Sequence, residues 1–351
     1  MPTFAADDNG NSAKYYIEIT LSANDGNGFQ QMVDFDPSSY SSSIFATNLQ
    51  NVNFQDGAGN LLYSWQETHL PTSSSTSVIY WVKLPNATTT TIYMVLVATS
   101  SSSYSTTHTG VEPTYSSTYG QYDNGTSMFA DYWNFAGTSL PAAFTSALSS
   151  DGTVTVNNGL AITLSAGQWG TYVISKSTYA APLVLDAYLN TSSAPTAGTY
   201  ALSSMILTGT SNISSASYAG TIYDDSGTSA AEFASNYENG GATFPWATFG
   251  ATYSTDTNYH VYTLGMTSAG DIGFTGYNYA IDSTGSTAHA ITSPYIAFQT
   301  TEYTQNVQWA RTRTYPSGGS MPTQSFGSST PINPPASGTL GSGLYLGDVY
   351  L

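Results

Sequence analysis

The sequence predicts an all-β protein of two β-sandwich domains with extended terminal tails. Three observations point there. Apolar and β-branched residues recur at period two, strand-like runs follow one another at intervals of ~8–12 residues with turn residues between them, and helical periodicity is nearly absent.

The elements follow in order. Ile17, Ile19 and Leu21 alternate with Tyr16, Glu18 and Thr20. Val78–Leu84 and Thr91–Val97 are β-branched and aromatic runs joined through Pro85-Asn86-Ala87, which predicts a hairpin. Further strands are expected at Thr153–Val156, Leu160–Leu164, Tyr172–Ser175, Leu183–Tyr188, His260–Leu264, Ile272–Gly276, Tyr295–Phe298 and Val307–Trp309. Ser229–Tyr237 is the one stretch expected to form a short helix. The polar, unpatterned run from Ser100 to Gly110 reads as a connector. The expected organisation is therefore a tail at 1–12, a β domain at 13–98, a linker at 99–127, a second β domain at 128–316, and a Gly/Ser/Pro-rich tail at 317–351 that closes on a strand-like segment.

Composition excludes several functions. The 351 residues carry 5 Lys plus Arg against 22 Asp plus Glu, a net charge of -17, so no basic groove for nucleic acid can be built. Attraction to anionic lipid fails on the same ground. The longest apolar run, Ile92–Ala98, is far short of the ~20 residues that cross a bilayer, so no membrane insertion is expected. With no cysteine, disulfides, thiolate zinc sites and cysteine nucleophiles are excluded. Charged residues make up 8% of the chain against a usual ~25%. Ser and Thr, together about 100 residues, must solvate the surface in their place. Met1-Pro-Thr-Phe4 leads into Ala5-Ala-Asp-Asp8 without the basic and apolar regions of a secretory signal, so either a leader was removed or the protein is made without one.

Motifs for catalysis are missing. The six Glu (Glu18, Glu67, Glu112, Glu232, Glu238, Glu302) form no Glu-x-Asp-x-Glu strand pattern, and there is no Gly-x-Ser-x-Gly elbow, His-Glu-x-x-His helix or phosphate loop. His69, His108, His260 and His289 stand at no ligand spacing. Calcium is the one cofactor with candidate ligands: Asp7, Asp8 and Asn9, and Asp224 with Asp225, cluster oxygens on turn-like runs. Asp34-Phe-Asp36 and Asp123-Asn124 do so as well. Such runs are equally read as turn chemistry. Trp309, Arg311 and Arg313, spaced by two, share a strand face. They either contact a ligand such as a sugar hydroxyl or carboxylate, or pair internally with an Asp. The six Trp stand mostly at strand-like positions, where core packing is the ordinary role. Asn86, Asn124, Asn190 and Asn212 head Asn-x-Ser/Thr glycosylation sequons. The terminal segment with Leu344, Leu346, Val349 and Leu351 either folds back on its own chain or adds to the edge strand of a neighbouring copy.

Tyr15-Tyr-Ile-Glu-Ile-Thr20, Val52-Asn-Phe-Gln-Asp-Gly57, Tyr63-Ser-Trp-Gln-Glu67, Ile79-Tyr-Trp-Val-Lys-Leu-Pro85 and Thr89–Val95, taken in order, resemble a domain-of-unknown-function family found in large archaeal and bacterial surface proteins. Gln121-Tyr-Asp-Asn-Gly125, Phe129–Leu140, Val156–Ile162 and Val307–Arg313 are similar to the concanavalin-A-like, laminin-G-type jelly roll that often follows it. The Tyr-Asp-Asn-Gly junction is especially like surface proteins of hot, acidic habitats. Gln308 stands where that family commonly has Asp. The resemblance implies a fold and an extracellular setting, and no reaction.

The expected function is accordingly non-enzymatic: a surface protein of an archaeon or archaeal virus that associates with itself through edge strands and tails. The alternative is a carbohydrate-binding adhesion module. A surface solvated by hydroxyls and amides changes little when carboxylates protonate, so tolerance of acid is expected.

Overall fold

The computed structural model describes residues 1–67, 73–164, 171–193, 203–213, 218–224, 232–237, 247–248, 257–283, 291–301 and 303–332. The period-two runs form strands in two sandwiches, as the alternation requires. The first contains β1 (Tyr15–Leu21), β2 (Gln30–Phe35), β3 (Val52–Gln55), β4 (Ser64–Gln66), β5 (Val78–Lys83), β6 (Thr91–Leu96) and β7 (Thr109–Val111). The second contains β8 (Asp131–Trp133), β9 (Phe144–Ala147), β10 (Thr153–Val156), β11 (Leu160–Leu164), β12 (Tyr172–Ser175), β13 (Leu183–Thr191), β14 (Ser203–Thr208), β15 (Tyr218–Asp224), β16 (Glu232–Tyr237), β17 (Ala247–Thr248), β18 (His260–Met266), β19 (Ile272–Tyr277), β20 (Ala280–Ser283), β21 (Tyr295–Thr300) and β22 (Tyr303–Arg313). Two short tail strands follow, β23 (Gln324–Phe326) and β24 (Thr330–Pro331).

In the first sandwich one sheet runs β23-β1-β6-β3 and the other β2-β5-β4-β7. Ile17 and Ile19 of β1 and Ile92, Met94 and Leu96 of β6 share one core with Val33 and Phe35 of β2 and Val78, Tyr80 and Val82 of β5. Burial of each such side chain contributes ~1.5–3 kcal/mol. The odd-numbered residues Ile79 and Trp81 of β5 pack on the opposite face, against the second domain. That strand is thus buried on both sides, and its sequence reads as a continuous apolar run.

The second sandwich has the two-sheet arrangement of a jelly roll. One sheet is ordered β10-β11-β22-β13-β18-β19-β20 with β8 on β22; the other is β17-β16-β15-β14-β21-β12-β9. Leu183, Leu185, Ala187 and Leu189 of β13 point into its core, so Asp186 and Tyr188 face the first domain. The pairing of β13 with β22 shifts register between Tyr188 and Leu189, opposite Trp309 and Val307. Gln308 is therefore the extra residue of a β-bulge. The bulge lets Val307 enter the sandwich core while Trp309 and Arg311 face out toward the first domain.

Three expectations change. Val78–Leu84 and Thr91–Val97 are not a hairpin, because β5 and β6 lie in different sheets. The intervening chain instead crosses the ~10 Å between sheets. The linker at 99–127 is built into the fold: Thr109–Val111 runs parallel to β4, and a single helical turn spans Gly125–Met128. Glu232–Tyr237, within the expected helix, is strand β16, whose backbone groups are paired to β15 and β17 on either side. The described part of the C-terminal tail folds back on its own chain, with β23 and β24 antiparallel to β1. Leu344, Leu346, Val349 and Leu351 lie outside the described residues.

The N-terminal tail is pinned as well. Phe4 packs on Tyr16 and Tyr93 with ring centroids 4.9 and 5.4 Å away. Asp8 accepts hydrogen bonds from Ser105 and His108.

Candidate functional site

The two sandwiches meet at an arginine enclosed by aromatic rings. Arg311, fully buried on β22, has its guanidinium carbon 4.3 Å from the ring centre of Trp81, 4.4 Å from Phe129, 4.7 Å from Trp309 and 5.5 Å from Trp65. Trp65 and Trp81 come from the first domain, Trp309 from the second, and Phe129 from the junction between them. Cation–π attraction is worth most where water is excluded, ~2 kcal/mol or more per pair.

Carboxylates from both domains complete the shell. Arg311 Nε donates to Asp186 Oδ2 at 3.0 Å, and its Nη2 lies 3.0 Å from Glu67 Oε2. Arg313 Nε donates to the same Asp186 oxygen at 2.7 Å, and the Thr263 hydroxyl donates to Asp186 Oδ1 at 2.8 Å. Trp81 Nε1 donates to Glu67 at 2.6 Å. Tyr279 closes the ring, accepting from Arg311 Nη2 at 2.9 Å and donating to the other Glu67 oxygen. Asn278 and Tyr279, with φ of 47° and 66°, form the two-residue turn between β19 and β20 that brings the phenol to this point.

The charges sustain one another. Burial pushes the Asp186 carboxyl up, but Arg313 and Arg311 outweigh it and hold it below the ordinary carboxylate value. Burial likewise opposes charge on Arg311, and Tyr279, Glu67 and Asp186 more than offset this, so the guanidinium stays protonated. A second knot lies at the Tyr-Asp-Asn-Gly junction. Asp123 accepts from Trp65 Nε1 at 2.9 Å, from Tyr132 and Asn134 at 2.8 Å each, and from Gly125 N at 3.1 Å. Burial is the largest influence on it and raises its pKa.

Beside the joint a cleft of about 500 Å³ opens between the domains. Glu67 and Tyr279 reach its floor. Asp34 of β2 lies on the first-domain wall, and Tyr188, Tyr259 and His260 form the facing wall. Trp309, Tyr188 and Tyr259 make a ladder of near-parallel rings, with centroids 5.7 Å and then 5.0 Å apart and planes inclined by 18° and 30°.

The sequence candidates distribute as follows. Trp309, Arg311 and Arg313 share a face as expected, but they are no ligand site: Trp309 and Arg311 are wholly inaccessible, Arg313 is 5% exposed, and the partner of both arginines is internal. Asp7, Asp8 and Asn9 do not fit calcium. The Asp7 carboxylate is occupied by donors from Asn9, Asn11 and Ser103, that of Asp8 by Ser105 and His108, and the Asn9 amide donates to the Ser102 and Tyr104 carbonyls. Asp36 caps Ser38 and Ser39 and Asp123 is enclosed by the donors of the junction, while Asp34, exposed on β2, takes the Ser77 hydroxyl at 2.7 Å. Asp224 ends β15, Asp225 lies outside the described residues, and among the described residues no group of three metal-ligating side chains occurs. Asn86 and Asn212 are exposed and Asn190 is half-buried. Asn124 is 2% exposed and packed against Gly110, so its sequon is closed to a glycan. Trp133 lines the second core, while Trp169 and Trp246 lie outside the described residues.

The sequence alone does not single out Glu67, Asp186 or Tyr279 for this role. Asp186 carried the clearest signal, a lone charge inside Leu183-Val-Leu-Asp-Ala-Tyr-Leu189, since a buried carboxylate requires a cationic partner. Tyr279 carried none, because only the tertiary placement of its turn aims the hydroxyl.

No family model matches the chain. A stretch of 128 residues, 34% of this chain, is 34% identical to an uncharacterized protein, 562, of Sulfolobus islandicus rod-shaped virus 1. The chain spans about a fifth of that relative, 21% of its length. Among solved structures, a Bacillus licheniformis β-glucanase overlays 52% of this chain and 97% of its own at 13% identity and a TM-score of 0.40. For a β-1,3-glucanase from Mycobacterium marinum the figures are 52%, 98%, 11% and 0.39. The κ-carrageenase of Pseudoalteromonas carrageenovora gives 52%, 92%, 11% and 0.38. Among the described residues no helix is long and apolar enough to cross a membrane.

Proposed function

We propose that the chain is a non-enzymatic structural protein of the exterior of an archaeal virus or archaeal cell, acting as a stiff two-sandwich unit that associates with copies of itself. The observation that carries this reading is the joint. Interfaces between domains of one chain are ordinarily polar and allow relative motion. Here three fully buried Trp, a fully buried Arg and two buried carboxylates from both domains lock the sandwiches together. A hinge would have to expose this desolvated shell, so the pair transmits force as one body.

Two further features support the reading. Similarity to a protein of an archaeal virus, though it covers only a third of the chain, fits a virion setting. Thr153–Val156 is the outermost strand of its sheet, with Thr153 and Thr155 exposed, no charge and no proline, and so lacks the devices that keep edge strands apart. In this account the segment Leu344–Leu351 adds to such an edge in a neighbouring copy. Analytical ultracentrifugation tests it: the full chain sediments as concentration-dependent assemblies and a chain lacking 344–351 as a monomer. A full chain that stays monomeric at all concentrations contradicts the proposal.

A further inference from the structure

We infer that Asn27 is a site at which the folded chain modifies itself, losing its side-chain amide to become aspartate or isoaspartate. This goes beyond the structural role and does not depend on it. Five Asn-Gly pairs occur in the sequence, at Asn9, Asn27, Asn124, Asn158 and Asn239. In each, the glycine carries no Cβ to shield the backbone nitrogen that follows the asparagine, so the sequence alone ranks them equally. Asn239 lies outside the described residues.

The reaction needs only water and base. Base removes the Gly28 amide proton, the nitrogen attacks Asn27 Cγ, and the side-chain nitrogen takes a proton from water and leaves as ammonia. The succinimide so formed takes up one water. Opening at one carbonyl gives aspartate, and opening at the other gives isoaspartate, whose main chain is one methylene longer. The carboxamide must swing onto the next nitrogen for this, so any hydrogen bond that holds it elsewhere has to break first.

The structure separates the four described pairs by their side chains. Asn9 Nδ2 donates to the Ser102 carbonyl at 2.8 Å and to the Tyr104 carbonyl at 3.1 Å. Asn124 is 2% exposed, and its Nδ2 donates to the Thr107 carbonyl at 3.1 Å. Asn158 Oδ1 accepts from Gly137 N at 3.0 Å. Asn27 is exposed, and among the described residues nothing bonds its carboxamide. The glycine nitrogens do not discriminate: Gly10 donates to the Asp7 carbonyl at 2.9 Å, Gly28 to that of Leu84 at 3.0 Å, Gly125 to Asp123 Oδ1 at 3.1 Å and Gly159 to the Phe135 carbonyl at 3.0 Å.

The position gives the change a structural consequence. Asn27 and Gly28, the latter at φ of 73°, are the middle of a turn between β1 and β2, closed by Phe29 N donating to the Gly26 carbonyl at 3.4 Å. Asp25 in the same connection accepts from Ser317 N at 2.9 Å, which ties the returning C-terminal segment to it. A carboxylate at position 27 adds charge two residues from Asp25, and isoaspartate lengthens the turn. Either product alters the connection that holds the tail.

The test is peptide mapping by mass spectrometry of the full chain aged in mildly alkaline heavy-oxygen water, both folded and in denaturant. In the folded chain the Asn27 peptide should convert at least ~10 times faster than those of Asn9, Asn124 and Asn158, gaining one heavy oxygen and appearing as both aspartate and isoaspartate. In denaturant the four should convert at similar rates. Asn27→Gln, which has to close a larger ring, should leave position 27 unmodified over the same period. The inference is overturned if any of the other three converts as fast as Asn27 in the folded chain, if the same ranking persists in denaturant, or if Asn27 stays intact while the denatured chain converts at all four.

Discussion

Arg311 of the second domain stacks its guanidinium 4.3 Å from the ring centre of Trp81 of the first, and both side chains are completely buried. The contact joins two sandwiches whose own cores are otherwise separate. Arg311→Met would leave Glu67 buried without its cation and Asp186 with Arg313 alone. Breaking a buried pair in this way costs about 3–5 kcal/mol. Arg311→Lys keeps the charge but loses the planar fork and the stacking, so it should also destabilise. Denaturant unfolding of the two variants measures both effects.

Acid should spare the fold over a wide range. The folded pKa of Asp186 is held below its ordinary value of 3.8, so its stabilisation is fully present above the unfolded pKa and is lost only as pH falls through the lower folded value. Asp123 has the opposite sign: burial raises its folded pKa, and protonation on acidification favours the folded state. Melting temperatures should therefore stay nearly level from pH 7 to about 4 and drop below that. Asp186→Asn should melt lower at pH 7, with the gap closing in strong acid. A collapse of structure between pH 7 and 4 contradicts this balance.

Gly110 on β7 admits no side chain. A Cβ there would lie 1.8 Å from Asn124 Oδ1 and 2.3 Å from its Cγ. Asn124 is itself held by a bond from Nδ2 to the Thr107 carbonyl. Gly110→Ala should cost about 1–3 kcal/mol. Adding Asn124→Gly should recover part of the loss, and a double-mutant cycle in thermal melting reads that coupling.

The tail covers an edge. Ile19 pairs with Phe326 and Tyr15 with Pro331, and the Phe326 ring lies 5.6 Å from Phe35 of the first core. Ending the chain after Pro316 would bare β1 as an edge strand. Such a truncation should melt at lower temperature and aggregate faster by light scattering. Behaviour equal to that of the full chain would mean that β23 and β24 contribute nothing.

Strands were the legible part of the fold. Ile17, Ile19 and Leu21 announce a half-buried strand by alternation alone, and the structure buries all three. Connectivity was not legible there. A short polar link after Leu84 serves a hairpin and a crossing between sheets equally well, and only the burial of both faces of β5 tells them apart. Strand β16 is not legible in the sequence because Ser229–Tyr237 has no strong pattern of its own, and pairing on both sides of Glu232–Tyr237 decides its state. At the site, the spacing of Trp309, Arg311 and Arg313 correctly placed them on one face. That this face is internal depends on the bulge at Gln308, and a bulge leaves no periodic trace.

Electron microscopy of the purified full chain bears most directly on the structural role. The account predicts repeated particles or filaments whose unit is the rigid pair of sandwiches, formed by the full chain and absent from a chain lacking Leu344–Leu351. A field of dispersed single molecules at high concentration, or identical assemblies from both chains, would contradict it.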